Sequence, residues 1–441
     1  MISIRIGDWS HLGSDASAVR TAVFVQEQGI DESLEWDESD AVSTHCVAYR
    51  DGQAIATGRL LPDAHIGRMA VLASERGQGV GGKILGRLLQ RGWRRGERSF
   101  ELSAQTHAEH FYKGHGFVAN GERYQEAGIE HQLMRLSSEV STQQVTRPDG
   151  CQLLQVDWRG GPQARSVGHA SADPAGARGI YLLHGLGEHC RRYDALAAWL
   201  NCLGWRVRAH DHRGHGGSQG KRGVLQRSGD ITDDAQAQIE QFAKELGGPP
   251  LLLGHSMGGA LAAELVVLRQ IPVAGLILSS PALAIPLGSV MRRLVAVLNW
   301  VAPKLALSNG LDRQYLSHDS GEVAAYRGDP LVHDRACARL VRWIDQAGAE
   351  SRAAASTLSV DTVLLVAGAD KLVSPFGSRE FAKRAGSSRV TLHWYEDAYH
   401  EIFNETDDRR EKVLGDLRAW LERRGDGAGQ FVDDDGSAAA T

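Results

Sequence analysis

A serine flanked by glycines is the segment of this sequence with the clearest chemical meaning. The segment is Gly254-His255-Ser256-Met257-Gly258, with an apolar run at 251–253 before it and helix-prone residues at 259–265 after it. A G-x-S-x-G motif between a strand and a helix predicts a tight turn that exposes the serine hydroxyl, and the glycines avoid side-chain clashes there. A serine hydroxyl attacks poorly unless a base takes its proton, so a histidine and an acid are also required.

Asp370 and His400 are predicted to complete this site. Asp370 follows the apolar residues 363–366 at the carboxyl end of a predicted strand, where open parallel sheets build their sites, and His400 lies in the loop at 396–401. We expect His400 to act as general base and then acid, with Asp370 fixing its tautomer and stabilising the imidazolium. A helix N-cap and a surface histidine are the structural alternatives. Asp397 is a rival acid, less well placed because it shares the histidine's own loop.

The negative charge that develops on a substrate carbonyl oxygen needs two backbone N–H donors. One should be the amide of Met257, directly after the serine. The other should come from the loop after an early strand, which is the HGLGEH segment at 184–189. Leu186 is the candidate in that loop, and an ordinary glycine turn is the alternative.

The elements around these residues follow from short apolar runs that alternate with amphipathic stretches. The predicted strands are Cys151 to Trp158, Gly179–Leu183, Arg206–His210, residues 251–254, Gly275–Ser279, Thr362–Ala367 and Val390–Tyr395. Helical patterns lie between them, for example at 193–203 and 232–246. This alternation predicts an α/β class with a parallel sheet covered on both faces.

Two other chemistries are weakly supported. The HDHRGH segment at 210–215 resembles a histidine-rich metal site, but Gly214 stands where an aspartate ligand is needed, so no metal is predicted. The five cysteines are scattered without metal-ligand spacing, and they favour reduced thiols over a disulfide framework or a thiol nucleophile.

Four motifs together resemble the monoacylglycerol lipase/lysophospholipase (serine aminopeptidase S33-like) family of α/β-hydrolases. They are HGLGEH at 184–189, DHRGHGGS at 211–218, GHSMGG at 254–259 and DKLVSP at 370–375. The resemblance covers about residues 146–424. It implies a carboxylic-ester hydrolase without a cofactor, acting on a lipid with one acyl chain. In this family the insertion at 281–356 is a mainly helical cap, and an apolar cap would shelter an acyl chain from water. Plain packing of helices onto the sheet is the alternative for this segment.

The N-terminal part contains a glycine-rich turn, RGQGVGGK at 76–83, between an apolar run at 69–72 and a helical pattern at 84–91. Glycines at such a turn let backbone amides approach a diphosphate at a helix N-terminus. The turn is not a P-loop, since no G-K-[ST] ends it, and it lacks the G-x-G-x-x-G of a Rossmann site.

R-x-x-G-x-G after such a strand resembles the coenzyme A site of GNAT N-acetyltransferases. RTAVFVQEQ at 20–28, SAQ at 103–105, FYKGHGF at 111–117 and EAGIEH at 126–131 extend the resemblance to the ElaA-like subgroup over residues 1–137. It implies a GNAT fold, a mixed sheet with helices, that uses acetyl-CoA and an unknown amine acceptor. The residues implied for acetyl-CoA binding are Met69, Ala70, Val71, Arg76, Gly77, Gln78, Gly79, Val80 and Gly81.

Tyr112 is implied as the acid that protonates the leaving thiolate, with a core aromatic as the alternative. Glu126 and His131 could lie on the acceptor side, but a structural role is equally compatible with their types. Glu130 replaces the family's proline before this histidine.

The 441 residues suit two or three domains. We predict domains at 1–138 and 148–424, a polar linker at 139–147, a long loop at 160–178 and a disordered tail at 425–441. A net charge of −5 gives no general case for a nucleic-acid partner. The sequence contains no run of eighteen apolar residues, so no transmembrane helix is predicted. The N-terminus lacks a signal peptide's features, so a cytoplasmic location is expected.

The main hypothesis is therefore a bifunctional enzyme, an acetyl-CoA-dependent N-acyltransferase fused to a serine ester hydrolase. Two alternatives remain open. The N-terminal domain could be a non-catalytic acyl-CoA sensor, or the same serine site could serve a peptidase or an acyl transferase.

Overall fold

The computed structural model describes residues 2–160 and 178–425; the interior of the predicted loop at 160–178 and the predicted tail beyond residue 425 lie outside it. The strands are β1 (Ile2–Gly7), β2 (Thr44–Arg50), β3 (Gln53–Leu60), β4 (Ile66–Val71), β5 (Ser99–Gln105), β6 (Val118–Glu126), β7 (Ile129–Thr146), β8 (Gln152–Gly160), β9 (Gly179–Leu183), β10 (Arg206–His210), β11 (Leu251–His255), β12 (Gly275–Ser279), β13 (Ala306–Ser308), β14 (Arg335–Cys337), β15 (Thr362–Ala367) and β16 (Val390–Tyr395).

The α-helices are α1 (Trp9–Arg20), α2 (Glu32–Glu35), α3 (Val80–Arg94), α4 (Glu109–Lys113), α5 (Asp194–Cys202), α6 (Asp230–Leu246), α7 (Met257–Ala263), α8 (Ser289–Val301), α9 (Ser320–Gly328), α10 (Ala338–Ala353), α11 (Pro375–Ala385) and α12 (Asp407–Gly425). The predicted α/β class is confirmed, because strands and helices alternate through both parts of the chain.

The N-terminal part is an antiparallel sheet, β1-β2-β3-β4, against which α1 and α3 pack. The core includes Ile84, Leu85 and Leu88 from one face of α3. Strands β4 and β5 meet only through a bridge between His65 and Glu101, so the sheet opens there. The far edge of β4 is therefore available to an extended ligand.

The C-terminal part is built on parallel strands in the order β16-β15-β12-β11-β9-β10, followed by the antiparallel β8. Helices α6, α7, α10 and α11 cover one face, while α5 and α12 cover the other. All five residues of β11 are buried, as expected for a strand covered on both sides. The carboxyl ends of β9, β11 and β15 consequently share one edge, from which the predicted site residues project.

Residues 139–146 of the stretch predicted as a linker at 139–147 are instead part of β7, so the interpretation of these residues as an irregular connection is wrong. Residues 131–137 of β7 pair with β5, and residues 138–146 pair with β8, which joins both parts in one ten-stranded sheet. Strand pairing uses backbone hydrogen bonds, so the polar side chains at 139–146 do not prevent it. The buried Arg87 of α3 also pairs with Asp408 (2.9 Å) and Glu411 (2.8 Å) of α12 across the boundary.

The insertion predicted as a cap contains α8, α9 and α10 and the two-stranded pair β13–β14. Its helices α8 and α10 have different surroundings. Helix α10 buries Leu340, Trp343 and Ile344 and packs on α7, so residues 337–344 belong to the main core. Helix α8 has no buried residue, and Trp300 on it is 86% exposed. The described residues include no helix with the length and apolarity to cross a bilayer.

Candidate active site

Ser256 lies in the sharp turn between β11 and α7. Its backbone is at φ 53° and ψ −120°, a conformation that non-glycine residues rarely adopt and that stores strain. A Cβ on Gly258 would lie 2.1 Å from the Leu183 carbonyl oxygen, and one on Gly254 would lie 2.3 Å from the Gly258 oxygen. Gly258 is therefore required for the close approach of this turn to β9, and Gly254 for the close approach of β11 to the start of α7.

His400 and Asp370 form a buried hydrogen-bonded pair, with 2.6 Å between His400 Nδ1 and Asp370 Oδ2. The other carboxylate oxygen, Oδ1, accepts the amides of Leu372 (2.8 Å) and Val373 (3.0 Å), so the aspartate also caps its turn. Burial disfavours the imidazolium, yet the Asp370 carboxylate outweighs this and raises the pKa of His400 above its ordinary value. Asp397, the rival acid, is exposed, and the described contacts of His400 do not include it.

The two predicted oxyanion donors face the serine. Leu186 and Met257 line the same wide cavity as Ser256 and His400, and Leu186 also lines the smaller one. Within the described residues neither backbone N–H has an acceptor. A Cβ on Gly185 would lie 3.3 Å from Ser256 Cβ, so the loop at 184–189 runs directly against the nucleophile. A carbonyl oxygen placed between these two amides could receive both hydrogen bonds.

Sequence reasoning missed an ionic network below this loop. Arg192 donates to Glu188 Oε2 (2.7 Å) and, through two nitrogens, to Glu401 (2.6 and 2.7 Å). Glu188 Oε1 in turn accepts the Gly185 amide (2.6 Å). The side chains of all three ionic residues are less than 10% exposed. The sequence signals that could have indicated this network were the position of Glu188 within the HGLGEH motif and of Glu401 directly after His400.

Two compartments meet at Ser256 and His400. The wider one is a cavity of about 370 Å³ whose walls include Ile285, Leu287 and Val341. The smaller one, about 40 Å³, is lined by a mixture of leucines and polar residues. Those polar residues are Glu188, Asn309, Arg313, Tyr326, His333 and Glu401. An ester bound at the serine would thus have a wide apolar space for one half and a small space with polar side chains for the other.

The glycine-rich turn precedes α3, as predicted. Gly77 and Gly79 both have φ 76°, and a Cβ at either would meet no atom within 4 Å. Their left-handed backbone therefore explains the glycines, and the space in front of them is open. Arg76 is paired with Glu27 through two hydrogen bonds of 2.7 Å, and the Gln78 side chain accepts from Arg50. Met69, Ala70 and Val71 lie on the open edge of β4, and Val80 and Gly81 begin α3.

Tyr112 is only 8% exposed and belongs to the N-terminal core, with its ring packed edge-on against Phe111 and Phe117. Burial raises the pKa of its hydroxyl, which keeps the phenol protonated. His131 is also nearly buried, and its Nδ1 bonds the Ile129 carbonyl (2.9 Å), whereas Glu126 is exposed.

Residues 176–407, just over half of the chain, match the family model described as serine aminopeptidase, S33. The chain belongs to this family. Residues 13–138 match the acetyltransferase (GNAT) domain model. The chain is thus a lipase-like serine hydrolase joined to a GNAT acetyltransferase domain.

Similar proteins support the S33 assignment. The chain is 35% identical to the monoglyceride lipase of Mus musculus over 251 residues, which are 56% of this chain and 82% of that protein. It is 33% identical to the monoacylglycerol lipase of Mycolicibacterium smegmatis, covering 56% and 89%. The crystal structure of the Paleococcus ferrophilus monoacylglycerol lipase aligns with a TM-score of 0.52 and 36% identity, covering 56% of this chain and 96% of that one.

The histidine-rich segment at 210–215 lies beside the loop at 184–189, which carries the predicted oxyanion donor Leu186 and is called the oxyanion loop below. His184 and His212 have ring centres 4.1 Å apart, and the ring centres of His215 and His333 are 4.7 Å apart. The His212 amide donates to His184 Nε2 (2.9 Å), and His184 Nδ1 donates to the Gly185 carbonyl (2.8 Å). These contacts use both ring nitrogens of His184, so its lone pair is not available to a metal.

Proposed function

We propose that the S33 domain hydrolyses carboxylic esters with Ser256, His400 and Asp370 as its catalytic triad. The observation that carries the proposal is that His400, hydrogen-bonded to Asp370, lines the same cavity as a serine held in a strained turn. The free amides of Leu186 and Met257 support it.

In this mechanism His400 Nε2 takes the proton of the Ser256 hydroxyl while its oxygen attacks the ester carbonyl carbon. The carbonyl oxygen becomes negative and receives the hydrogen bonds of the Leu186 and Met257 amides. His400 then gives the proton to the leaving alcohol, and an acyl-serine remains. Water, deprotonated by the same histidine, hydrolyses that ester and restores the serine.

An acylglycerol with one acyl chain is the proposed substrate class. The apolar cavity of about 370 Å³ suits an alkyl chain, and the polar side chains of the smaller compartment could bind a glycerol leaving group. The exposed apolar face of α8, with Val297 and Trp300, would favour contact with the lipid surfaces in which such substrates dissolve. The names of the monoglyceride lipase relatives support the same class.

The test is hydrolysis of p-nitrophenyl esters from acetyl to palmitoyl by the intact chain and by Ser256→Ala. We expect kcat/KM to rise by up to about fourfold per methylene until the cavity is filled. We expect Ser256→Ala to lose this activity with an unchanged melting temperature. Retained hydrolysis in that variant would refute the triad, and activity confined to acetyl and butyryl esters would refute the lipid substrate. Faster cleavage of amino-acid amides than of esters would favour the peptidase alternative.

For the GNAT domain we propose acetyl transfer from acetyl-CoA to an amine, with Tyr112 as the acid. Acetyl-CoA would supply the activated acetyl group, and the glycine-rich turn, which is open in front of Gly77 and Gly79, and the free edge of β4 would hold it. Calorimetric titration with acetyl-CoA tests binding, and Tyr112→Phe tests the acid with a panel of amines. Binding without turnover on any amine would favour the sensor alternative.

A further inference from the structure

The loop that carries the oxyanion amide and the loop that carries His400 are joined by one side chain. The amide of Gly185, adjacent to Leu186, is held by Glu188, and the next residue after His400 is Glu401. Arg192 bridges the two carboxylates with three hydrogen bonds. The distance between the oxyanion donor and the catalytic base therefore depends on this bridge.

All four oxygens of the two carboxylates have donors. Tyr193 also donates to Glu188 (2.7 Å), and the Asn404 amide donates to Glu401 (2.9 Å). Tyr326 from α9 covers the bridge, with its ring centre 4.5 Å from the Arg192 guanidinium carbon. Such complete pairing in a buried site restricts each side chain to one position, since any displacement leaves an unpaired buried charge.

The bridge also carries charge. Two carboxylates and one guanidinium leave a net charge of −1 close to His400, in a buried site where screening by water is weak. Among the described residues, the other ionisable groups near His400 include Asp370, which is bonded to it, and His255, whose ring centre is 4.8 Å away. Arg313, Tyr326, His333 and Lys371 line the same cavities as His400 and are unchanged in the variants below. Burial, and then the proximity of His400, lower the pKa of His255 to about 3, so His255 contributes no charge.

We propose that Arg192, acting through Glu188 and Glu401, is a positioning residue that fixes the oxyanion loop against the histidine loop, and that the excess carboxylate charge of this bridge stabilises the His400 imidazolium. Both effects act when the tetrahedral intermediate forms, because the histidine is then protonated and the oxyanion is bound. The bridge therefore affects kcat more than KM. This inference depends on the proposed triad.

The test compares two variants that break the same ion pair with opposite changes of charge. Glu401→Gln removes a negative charge, so the His400 pKa should fall and the acid limb of the kcat/KM profile should move down by about one pH unit. Arg192→Met removes a positive charge, so the limb should move up by about the same amount. Both should lose about tenfold to a hundredfold in kcat on p-nitrophenyl butyrate, with KM within about threefold.

Arg192→Lys and Glu188→Gln extend the test in case Arg192→Met does not fold. The lysine keeps the charge but cannot donate to both carboxylates in the same fork, so kcat should fall without a shift of the acid limb. Glu188→Gln should shift the limb in the same direction as Glu401→Gln. Asp397→Asn, an exposed change on the same loop, is the matched control and should leave kcat and the limb unchanged.

Shifts of the acid limb in the same direction for Glu401→Gln and Arg192→Met would overturn the proposal. An effect of charge must have opposite signs in the two variants, whereas general damage to the fold does not depend on which charge is removed. Unchanged kcat in both variants would also overturn it. Failure of the triad itself is recognised separately, since the intact chain and Ser256→Ala would then hydrolyse p-nitrophenyl butyrate equally.

Discussion

Replacing Asp370 by asparagine should disable His400 without removing a contact. The carboxylate now accepts two backbone amides on Oδ1 and the imidazole on Oδ2. An asparagine has one oxygen, and the two amides of the turn will hold it. Its NH₂ group then faces His400 Nδ1, which must accept, so the ring proton moves to Nε2. A histidine protonated at Nε2 cannot take the proton of Ser256.

The size of the activity loss follows from the energy needed to turn the asparagine side-chain amide by 180°, so that its oxygen faces His400. That orientation restores the reactive tautomer but leaves two buried N–H groups facing an NH₂ group, at a cost of about 1–3 kcal/mol each. The reactive fraction is then between about 1/30 and 1/10⁴. We therefore expect Asp370→Asn to lower kcat/KM for p-nitrophenyl butyrate at pH 8 by about 30-fold to 10⁴-fold. Its melting temperature should stay close to that of the unaltered chain.

Asp397→Asn is the control for this assay, because it changes an acid on the histidine's own loop that has no bond to the ring. It should lose less than twofold. If Asp370→Asn kept more than a third of the activity, or if the Asp397 variant lost more than the Asp370 variant, the assignment of Asp370 as the histidine's partner would be wrong.

Three further outcomes are expected. Gly258→Ala should lower the melting temperature by several degrees in differential scanning fluorimetry, because its Cβ would lie 2.1 Å from the Leu183 oxygen; an unchanged melting temperature would contradict this. The pKa values of His210 and His333 are lowered by burial to about 3 and about 4, so the unfolded chain binds more protons below pH 6.5. The free energy of unfolding in urea should consequently fall between pH 6.5 and 5. The slope should approach roughly 1 kcal/mol per pH unit for each histidine that is protonated in the unfolded chain and neutral in the folded chain, and a constant value would exclude the effect. Trp300→Gln combined with Val297→Gln should weaken co-sedimentation with phosphatidylcholine vesicles while p-nitrophenyl butyrate hydrolysis is unchanged; equal sedimentation would show that α8 does not bind lipid.

Local patterns were sufficient to predict the strands that carry the site. Buried parallel strands such as Thr362–Ala367 are uninterrupted apolar runs, so both their existence and the residue after them can be read from the sequence. Ser256 was predictable because the turn tolerates only glycine at two fixed offsets. The pairing of Asp370 rather than Asp397 with His400 could be expected from strand order alone.

Contacts between residues far apart in the sequence were harder to predict. The stretch at 139–146 has few large apolar residues, and only its β-branched Val140, Thr142, Val145 and Thr146 indicated a strand. The role of Arg192 required knowledge that Glu188 and Glu401, more than two hundred residues apart, meet in space. No periodicity encodes such a contact, since it depends on how the sheet brings the two loops together.

The shared strand β7 has a consequence for how this fusion can be divided. A hydrolase fragment that began at residue 147 would leave β8 with a row of unpaired backbone groups along its edge, and exposed edges of this kind recruit other strands and promote aggregation. A GNAT fragment ending at 138 would keep its pairing with β5 and β6 but lose the helix that neutralises Arg87. Because the two domains share β7, a destabilising change on either side should lower the amount of both folded domains.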